Sequence, residues 1–568
     1  MSVSLNPASP AHARFAPPIP LLALIGWATP LLIWFFNLHG MRLGPAIPYG
    51  NDGHCDVWYY FGLASLADSA WTLGPASRMI SRIATYLPNF ALGRVLPFNA
   101  AERFFLLNHT LAFVGAILAV RPLYGWGVAV LATVLVSTSA LWLAELSTTY
   151  TVGAALAYGM LALACLTNAA TARTRAREAT LCVAAGALLA WAVNALLLAV
   201  FFFAFLPLVL LIKRDWRSMA FYQDIVLIGV GGLLGTALVG LASMAIGQPF
   251  TIFWHQVVAA IAGGGDWWDD ELIKKSVGIP LAVGVSLALI VKLYAVRERR
   301  TAIVAAIIVL TTLTTLAQTF IPKSQTLLFD YVYVLLLVPA LLGIAELAKT
   351  PSREAAAIAI AAVIAAHIAL MFALMHVPAL RSYYVAGAMT LSIAAACAVA
   401  AAVVLRRPIL THVSLFALMQ VALGGYMYAH LFADSRQEKD RLDLTEQVLG
   451  FVRAYGIVSL PVIWIAPDVD SELATGAFRS FVRCTFQPSF PAGLPDPKKH
   501  WQEALAPGVL LVVLSLPAGA PDDVTRALGE RGMALADGRS RTFAQGSWLM
   551  RVTIGKVAGR SARLSEGE

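Results

Sequence analysis

The chain has 568 residues, of which 59% are hydrophobic and only 13% charged, with a mean hydropathy of +0.74. Soluble domains carry about 25% charged residues, so the composition excludes a soluble globular protein and implies a multispanning α-helical membrane protein. The formal charge of +9 does not mark a nucleic-acid binder, because the arginines stand in short clusters between apolar runs, the pattern of positive-inside topology.

Residues 1–18 hold Pro, Ala, Ser and two basic side chains without periodicity and are expected to form a disordered cytoplasmic tail. They are not read as a signal peptide, since no small-residue cleavage site follows the first apolar run. That run, 19–38, is long enough to span. The polar stretch 39–102 that follows is unusually long for a connection. Inside it stands Asn51-Asp52-Gly53-His54-Cys55-Asp56-Val57-Trp58-Tyr59-Tyr60-Phe61, two carboxylates four apart followed by rings of the kind that settle at a membrane interface.

Apolar segments follow near 104–120, 123–143, 150–170, 179–212, 221–246, 276–296, 301–321, 327–347, 355–375, 384–405 and 410–431. The segment 179–212 is too long for one straight span and holds Trp191 and Asn194 near its middle. Two short helices entering and leaving on one side are expected there, for about 13 membrane helices in all. The charges require this. With the N-terminus inside, Arg121, Arg173, Arg175, Arg177, Lys213, Arg214, Arg217, Arg297, Arg299, Arg300, Lys349, Arg353, Arg406 and Arg407 then all fall on the cytoplasmic side. A single span would send the later clusters outside.

The membrane region thus runs over 19–431, and 432–568 is a different material. Charge returns at Asp434–Arg441. The runs Pro461–Ile465, Gly508–Leu514 and Trp548–Ile554 have strand composition, and Asp470–Arg483 and Pro521–Arg531 have helical composition. Strands alternating with helices predict a small C-terminal α/β domain, here extracytoplasmic. No glycine-rich loop follows a strand, so no nucleotide fingerprint is present. Of five cysteines, Cys165, Cys182 and Cys397 lie in apolar runs and are expected to be small buried hydrophobes. Cys55 and Cys484 share the outer face, and the sequence leaves open whether they pair.

Ionisable groups at a membrane edge are functional candidates because burying them is costly without partners. On the outer face these are Asp52, His54, Asp56, Arg78, Arg82 and Arg94 in the first loop, Glu145 after the third helix, His255 and Asp266–Glu271 in the middle loop, and Lys323, Gln325 and Asp330. Charged residues are absent from helix centres, which argues against an ion-coupled carrier. Acids gathered on one face suit a substrate that arrives laterally on an apolar tail. A carboxylate could take a proton from an acceptor hydroxyl, and Arg or Lys could neutralise a leaving phosphate. Plain headgroup contact is the alternative fate of Arg78, Arg82 and Arg94.

The pattern resembles the GT-C glycosyltransferases, multispanning enzymes that use polyprenyl-phosphate-linked sugars and include protein O-mannosyltransferases, aminoarabinose transferases and oligosaccharyltransferase catalytic subunits. One helix precedes a long first loop that opens on Asp52-Gly-His-Cys-Asp56-Val-Trp-Tyr-Tyr. Ser81-Arg82-Ile83-Ala84-Thr85-Tyr86-Leu87-Pro88 is similar to an Arg-x-x-x-x-x-Pro segment of bacterial members, Glu145-Leu-Ser-Thr-Thr-Tyr150 stands where relatives place a second acid, and a soluble domain ends the chain. The resemblance implies Asp56 as catalytic acid-base residue, with Asp52 or Glu145 assisting. It implies Arg82, Lys323 and Arg78 toward the donor phosphate, and His54, Trp58, Tyr59, Tyr60, His255 and Gln325 toward substrate. No cofactor is certain; if a divalent metal takes part, Asp56 and Asp52 would hold it. Expected partners are a polyprenyl-phosphate-linked sugar donor, a lipid, glycan or protein acceptor, and the bilayer, with no nucleic acid. The expected location is a bacterial-type inner membrane. Trp267-Trp268-Asp269 looks like an oligosaccharyltransferase signature but stands in the middle loop, and no role is carried over to it. A transporter or flippase of lipid-linked sugars is the rival reading, and a non-catalytic scaffold a second.

Overall fold

The computed structural model describes residues 18–36, 60, 63–64, 81–96, 98, 100–139, 142–143, 146, 151–254, 257–258, 278–319, 334–377, 388–421, 436–455, 462–465, 507–517, 522–546 and 548–559. Every apolar segment carries helix. The helices are α1 (Ile19–Phe36), α2 (Ile83–Gly93), α3 (Ala100–Ser137), α4 (Thr151–Ala170), α5 (Arg175–Ala195), α6 (Ala199–Phe203) and α7 (Met219–Ala245). They continue with α8 (Gly278–Val296), α9 (Arg299–Thr319), α10 (Leu337–Leu347), α11 (Arg353–His376), α12 (Ala388–Val404) and α13 (Pro408–Val421). Among the described residues α3, α4, α5, α7 and most of α11 are long and apolar enough to cross a bilayer. Only 22% of the apolar window of α7 is buried in the protein, which leaves side chains such as Val226, Leu233 and Met244 for lipid.

Two bends set the connectivity. At Gly125 the backbone takes φ 81° and ψ 172°, a conformation that a side chain disfavours, and α3 breaks into two helices. The halves fold back on each other. A Cβ on Gly26 of α1 would meet both Val134 and Phe113, which lie on opposite sides of the bend. The second bend follows Asn194. Helix α5 ends at Ala195, Leu196 is extended, and the chain returns through α6 and a 3-10 turn, Leu206–Ile212. The outgoing arm is therefore a full 21-residue helix and only the return is short. Both ends of the detour meet at one carboxylate: Lys213 and Arg214 reach Glu178, in the first turn of α5, at 3.3 and 2.8 Å.

The basic connections gather at one end of the bundle. Lys213 Nζ donates to Ala172 O at 2.9 Å, Arg299 donates to the carbonyl of Arg214, and Arg300 donates to Leu123 O at 3.1 Å. Lys349 lies 3.7 Å from Glu298, and His412 bonds Ala348 O at 3.2 Å. Two fully buried carboxylates accompany Glu178 as anchors there. Asp224 of α7 pairs with Arg175, and Glu346 of α10 pairs with Lys292, Lys349 and Arg300 at 2.9, 3.2 and 3.4 Å. Each of these acids sits in the first or last turns of its helix, in keeping with helix centres free of charge.

Small residues let α5 and α7 touch backbone to backbone. A Cβ on Gly186 would stand 1.9 Å from Ile228 O, and one on Gly231 would stand 2.0 Å from Val183 O. Since overpacking costs about 1–3 kcal/mol where neighbours can shift, and backbone shifts with difficulty, Gly186→Ala should sit at or above that range. Its thermal midpoint in detergent should fall. Gly229→Ala on the same helix pair meets open space and should leave the midpoint unchanged, so equal shifts would refute the close approach. One expectation fails in this region. Cys165 is half-buried and Cys182 buried, but Cys397 of α12 is exposed, because that face of the helix has only lipid to meet.

In the C-terminal region α14 (Arg436–Ala454) and α15 (Asp522–Glu530) flank a sheet of β1 (Val462–Ile465), β2 (Leu510–Ser515), β3 (Met533–Gln545) and β4 (Trp548–Gly559), in the order β1-β2-β4-β3. Strands β1 and β2 are parallel, and β2/β4 and β4/β3 antiparallel. Leu510, Val512, Leu514, Val552 and Ile554 join Leu444, Val448 and Val452 of α14 in one core. The opposite face, with Leu511, Val513 and Val557, packs on Val524 and Leu528 of α15. Strand β2 is covered on both sides, which is why its sequence is an unbroken apolar run. The turn residue Gly546 (φ 56°) stands where a Cβ would meet Asp440 of α14 at 2.0 Å. Strand β3 and helix α14 were not expected from the sequence, and the helix expected at Asp470–Arg483 lies outside the described residues.

Candidate functional site

At the end of the bundle away from the basic connections, the first loop is tied to the membrane body through α2. The α5 side chain Asn194 sits 19 residues from Arg175, roughly 28 Å along the helix. It is buried, and it clamps the start of α2 from both directions: Asn194 Oδ1 accepts from the Ala84 amide at 2.9 Å, and Nδ2 donates to Ser81 O at 2.9 Å. The helix has no side-chain cap of its own, with Arg82 at the capping position. A distant asparagine therefore satisfies an amide that the helix start leaves unbonded.

A second anchor comes from α4. The hydroxyl of Tyr158 donates to Ala84 O at 2.9 Å, while its ring meets Trp191 of α5 edge to face at 5.7 Å. On α2, Ile83, Ala84, Thr85, Tyr86 and Asn89 are all buried. The oxygens Thr85 Oγ1 and Asn89 Oδ1 have no hydrogen-bond partner among the described residues, and buried polar atoms of that kind call for a polar group opposite.

Arg82 is half-buried and donates to the hydroxyl of Tyr60 at 3.2 Å. Tyr60 is itself fully buried. This pair joins the acidic segment, four residues upstream of Tyr60, to the start of α2. Arg103 of α3 adds a third tie, donating to Ala64 O at 3.2 Å and to Phe98 O at 2.5 Å. A half-buried guanidinium presented this way is suited to phosphate, which it meets with charge-assisted and frequently paired hydrogen bonds.

The turn that leads to Glu145 is fixed from the body. Trp142 is fully buried and its indole N–H donates to His109 Nδ1 at 3.0 Å. With Nδ1 accepting, Nε2 carries the proton and donates to Trp27 O of α1 at 2.9 Å. Across the bundle, Gln420 of α13 donates to Thr138 O at 2.8 Å, so the end of α3 is held from two sides.

Of the expected site residues and loop candidates the structure describes Arg82, Tyr60 and Arg94; it brings Arg82 and Tyr60 together, while Arg94 lies over the Phe90 ring at 5.1 Å. Asp52, His54, Asp56, Trp58, Tyr59, Arg78, Glu145, His255, Lys323 and Gln325 lie outside the described residues, as do Cys55 and Cys484. Asn194, Tyr158, Arg103 and the His109–Trp142 pair were missed by sequence reasoning. The one local signal was a polar Asn beside a helix break.

Asn194→Ala removes two buried bonds and leaves the Ala84 amide and Ser81 carbonyl unpaired, a cost of about 1–3 kcal/mol for each such group. Hydrogen exchange of residues 81–93 should accelerate at least tenfold while exchange in α4 stays slow. Unchanged protection of 81–93 would show that the clamp does not hold the loop.

No protein-family model matches the chain, and no curated relative matches it. Among solved structures it is similar to ArnT from Cupriavidus metallidurans bound to undecaprenyl phosphate, at a TM-score of 0.47 and 15% identity over 94% of this chain and 98% of that one. The apo state of that protein gives 0.47 and 16% over the same shares. The apo form of an oligosaccharyltransferase from Archaeoglobus fulgidus gives 0.41 and 12%, over 88% of this chain and 69% of that one.

Proposed function

We propose that the chain is a membrane glycosyltransferase that moves a sugar from a polyprenyl-phosphate-linked donor to an acceptor on the extracytoplasmic face. The observation that carries this reading is the docking of α2. A phosphate-seeking arginine is held at the bundle end opposite the basic connections, and four residues of chain tether the Asp52–Asp56 segment to it through Tyr60.

Asp56 takes the proton of the acceptor hydroxyl as that oxygen forms its bond to the anomeric carbon. The bond from that carbon to the donor phosphate breaks, and polyprenyl phosphate leaves with the electron pair. Arg82, with Lys323 and Arg78, neutralises the charge that develops on the leaving phosphate. Attack from the face opposite the leaving group inverts the anomeric configuration. Asp52 or Glu145 assists, and His54, Trp58, Tyr59, His255 and Gln325 hold the sugar. Tyr60, buried against Arg82, orients the guanidinium. The basic end faces the cytoplasm and the C-terminal sheet faces outward, where it presents or covers the acceptor.

The test is a transfer assay on purified protein in detergent with a panel of labelled polyprenyl-phosphate sugars, with and without chelator. Release of polyprenyl phosphate by the wild type but not by Asp56→Asn supports the reading, and the chelator arm decides whether a metal takes part. Specific binding of one donor with no turnover would replace it with a flippase.

A further inference from the structure

At the basic end, away from α2, a groove of about 540 Å³ opens between Ile19 and Pro20 at the start of α1, the Tyr124–Val128 bend of α3, and Thr350–Ala356 leading into α11. That volume lies within the range of small-ligand sites. We infer that this groove seats the headgroup of an acidic phospholipid from the leaflet at that end.

Four independent features point to an anion with an apolar tail. First, two helix starts converge on the groove: the second half of α3, which begins after the Gly125 bend, and α11, capped by Ser352. Helix starts present unbonded amides and a positive partial charge. Second, among the described residues the groove carries cations that are not matched by a carboxylate, unlike the three cations beside it. Lys292, Arg300 and Lys349 are matched by Glu346 and Glu298. Arg353, which lines the groove, and Arg121, stacked at 4.4 Å on the lining Trp126, have no ion pair with a carboxylate among the described residues. Third, Trp126 is 47% exposed at the rim, and tryptophan at a bundle end favours the headgroup layer. Fourth, the wall below the rim is apolar, with Ile19, Pro20, Val128 and Ala356. Gly127 brings the two helix starts together there, since a Cβ on it would meet Ala356 Cβ at 2.9 Å. A free phosphate would use the rim alone; a phospholipid uses the rim and the wall.

The experiment measures lipid retention by native mass spectrometry on the full chain in a neutral detergent. Equal concentrations of phosphatidylglycerol and phosphatidylcholine are supplied, and then phosphatidylglycerol with an excess of free glycerol 3-phosphate. The expected result is a preference of about tenfold for phosphatidylglycerol. It should fall to near parity in the Arg121→Gln/Arg353→Gln protein, persist in Arg121→Lys/Arg353→Lys, and persist in Arg539→Gln, whose arginine lies on β3. The lysine protein keeps the test valid if the glutamine protein folds poorly. Equal retention of the two lipids by the wild type, an undiminished preference in the glutamine protein, or displacement by glycerol 3-phosphate would each overturn the inference.

Discussion

Asp56→Asn should lower polyprenyl-phosphate release by about 10²–10⁴-fold, the contribution typical of a positioned general base. Asparagine keeps the size and hydrogen-bonding capacity of the side chain but cannot accept the acceptor hydroxyl's proton, so the loss should appear in kcat rather than in donor KM. Arg82→Gln gives the complementary pattern. A guanidinium that meets the phosphate in both ground and transition states contributes to KM, and it contributes to kcat to the extent that charge grows as the bond breaks. If Asp56→Asn retains wild-type turnover, the base is elsewhere, and Asp52→Asn and Glu145→Gln decide between the two remaining acids. If all three stay active, none of these three acids removes the proton, and the acids of Asp266–Glu271 and Asp330 are tested next. A fall in α2 protection in Asp56→Asn would mark a folding defect, so hydrogen exchange of residues 81–93 belongs beside every activity measurement.

The membrane architecture was legible because two strong signals agreed. The lengths of the apolar runs placed each helix, and the arginine clusters demanded that 179–212 turn back, as the contacts of Glu178 with Lys213 and Arg214 show. At the candidate site the sequence offered residue types and not contacts. Arg82 stood out as a loop cation, but its partner Tyr60 is 22 residues away and the Asn194 clamp 110 residues from Ala84. No local periodicity encodes such pairs. Buried polar residues that satisfy a distant backbone look, in sequence, like isolated imperfections in an apolar helix. The C-terminal region shows the opposite failure. Strand β3 was missed because six consecutive residues in its middle, Asp537–Thr542, are exposed, and all but Gly538 are polar. Helix α14 was missed because its charged first turns masked Leu444, Val448 and Val452, spaced four apart on its buried face.

Glu346→Ala should be the most destabilising single change at the basic end. The carboxylate is fully buried and holds three elements at once. Lys292 of α8 lies 2.9 Å away, Arg300 of α9 3.4 Å, and Lys349, just beyond α10, 3.2 Å, while the Thr301 hydroxyl donates to Oε1 at 3.0 Å. The three cations do not lose equally when it is removed. Arg300 and Lys349 retain the half-exposed Glu298 at 3.6 and 3.7 Å. Lys292, only 17% exposed, retains the backbone carbonyl of residue 346 but no ion pair with a carboxylate among the described residues. Breaking a buried pair by removing one partner costs about 3–5 kcal/mol, because a charge is left in a poor solvent, whereas replacing both partners with apolar groups is often neutral. The order of thermal stability in detergent should therefore be Glu346→Ala lowest and Glu346→Gln intermediate, since the amide oxygen still accepts from Thr301. Lys292→Met/Glu346→Leu should lie close to wild type. The double change separates two meanings of the cluster. If it restores stability, the pair acts locally and its cost is the stranded Lys292. If it is as unstable as Glu346→Ala, the carboxylate is needed for Arg300 and Lys349 as well, and one acid holds the α8–α10 side of the basic end. A Glu346→Ala protein as stable as wild type would refute both.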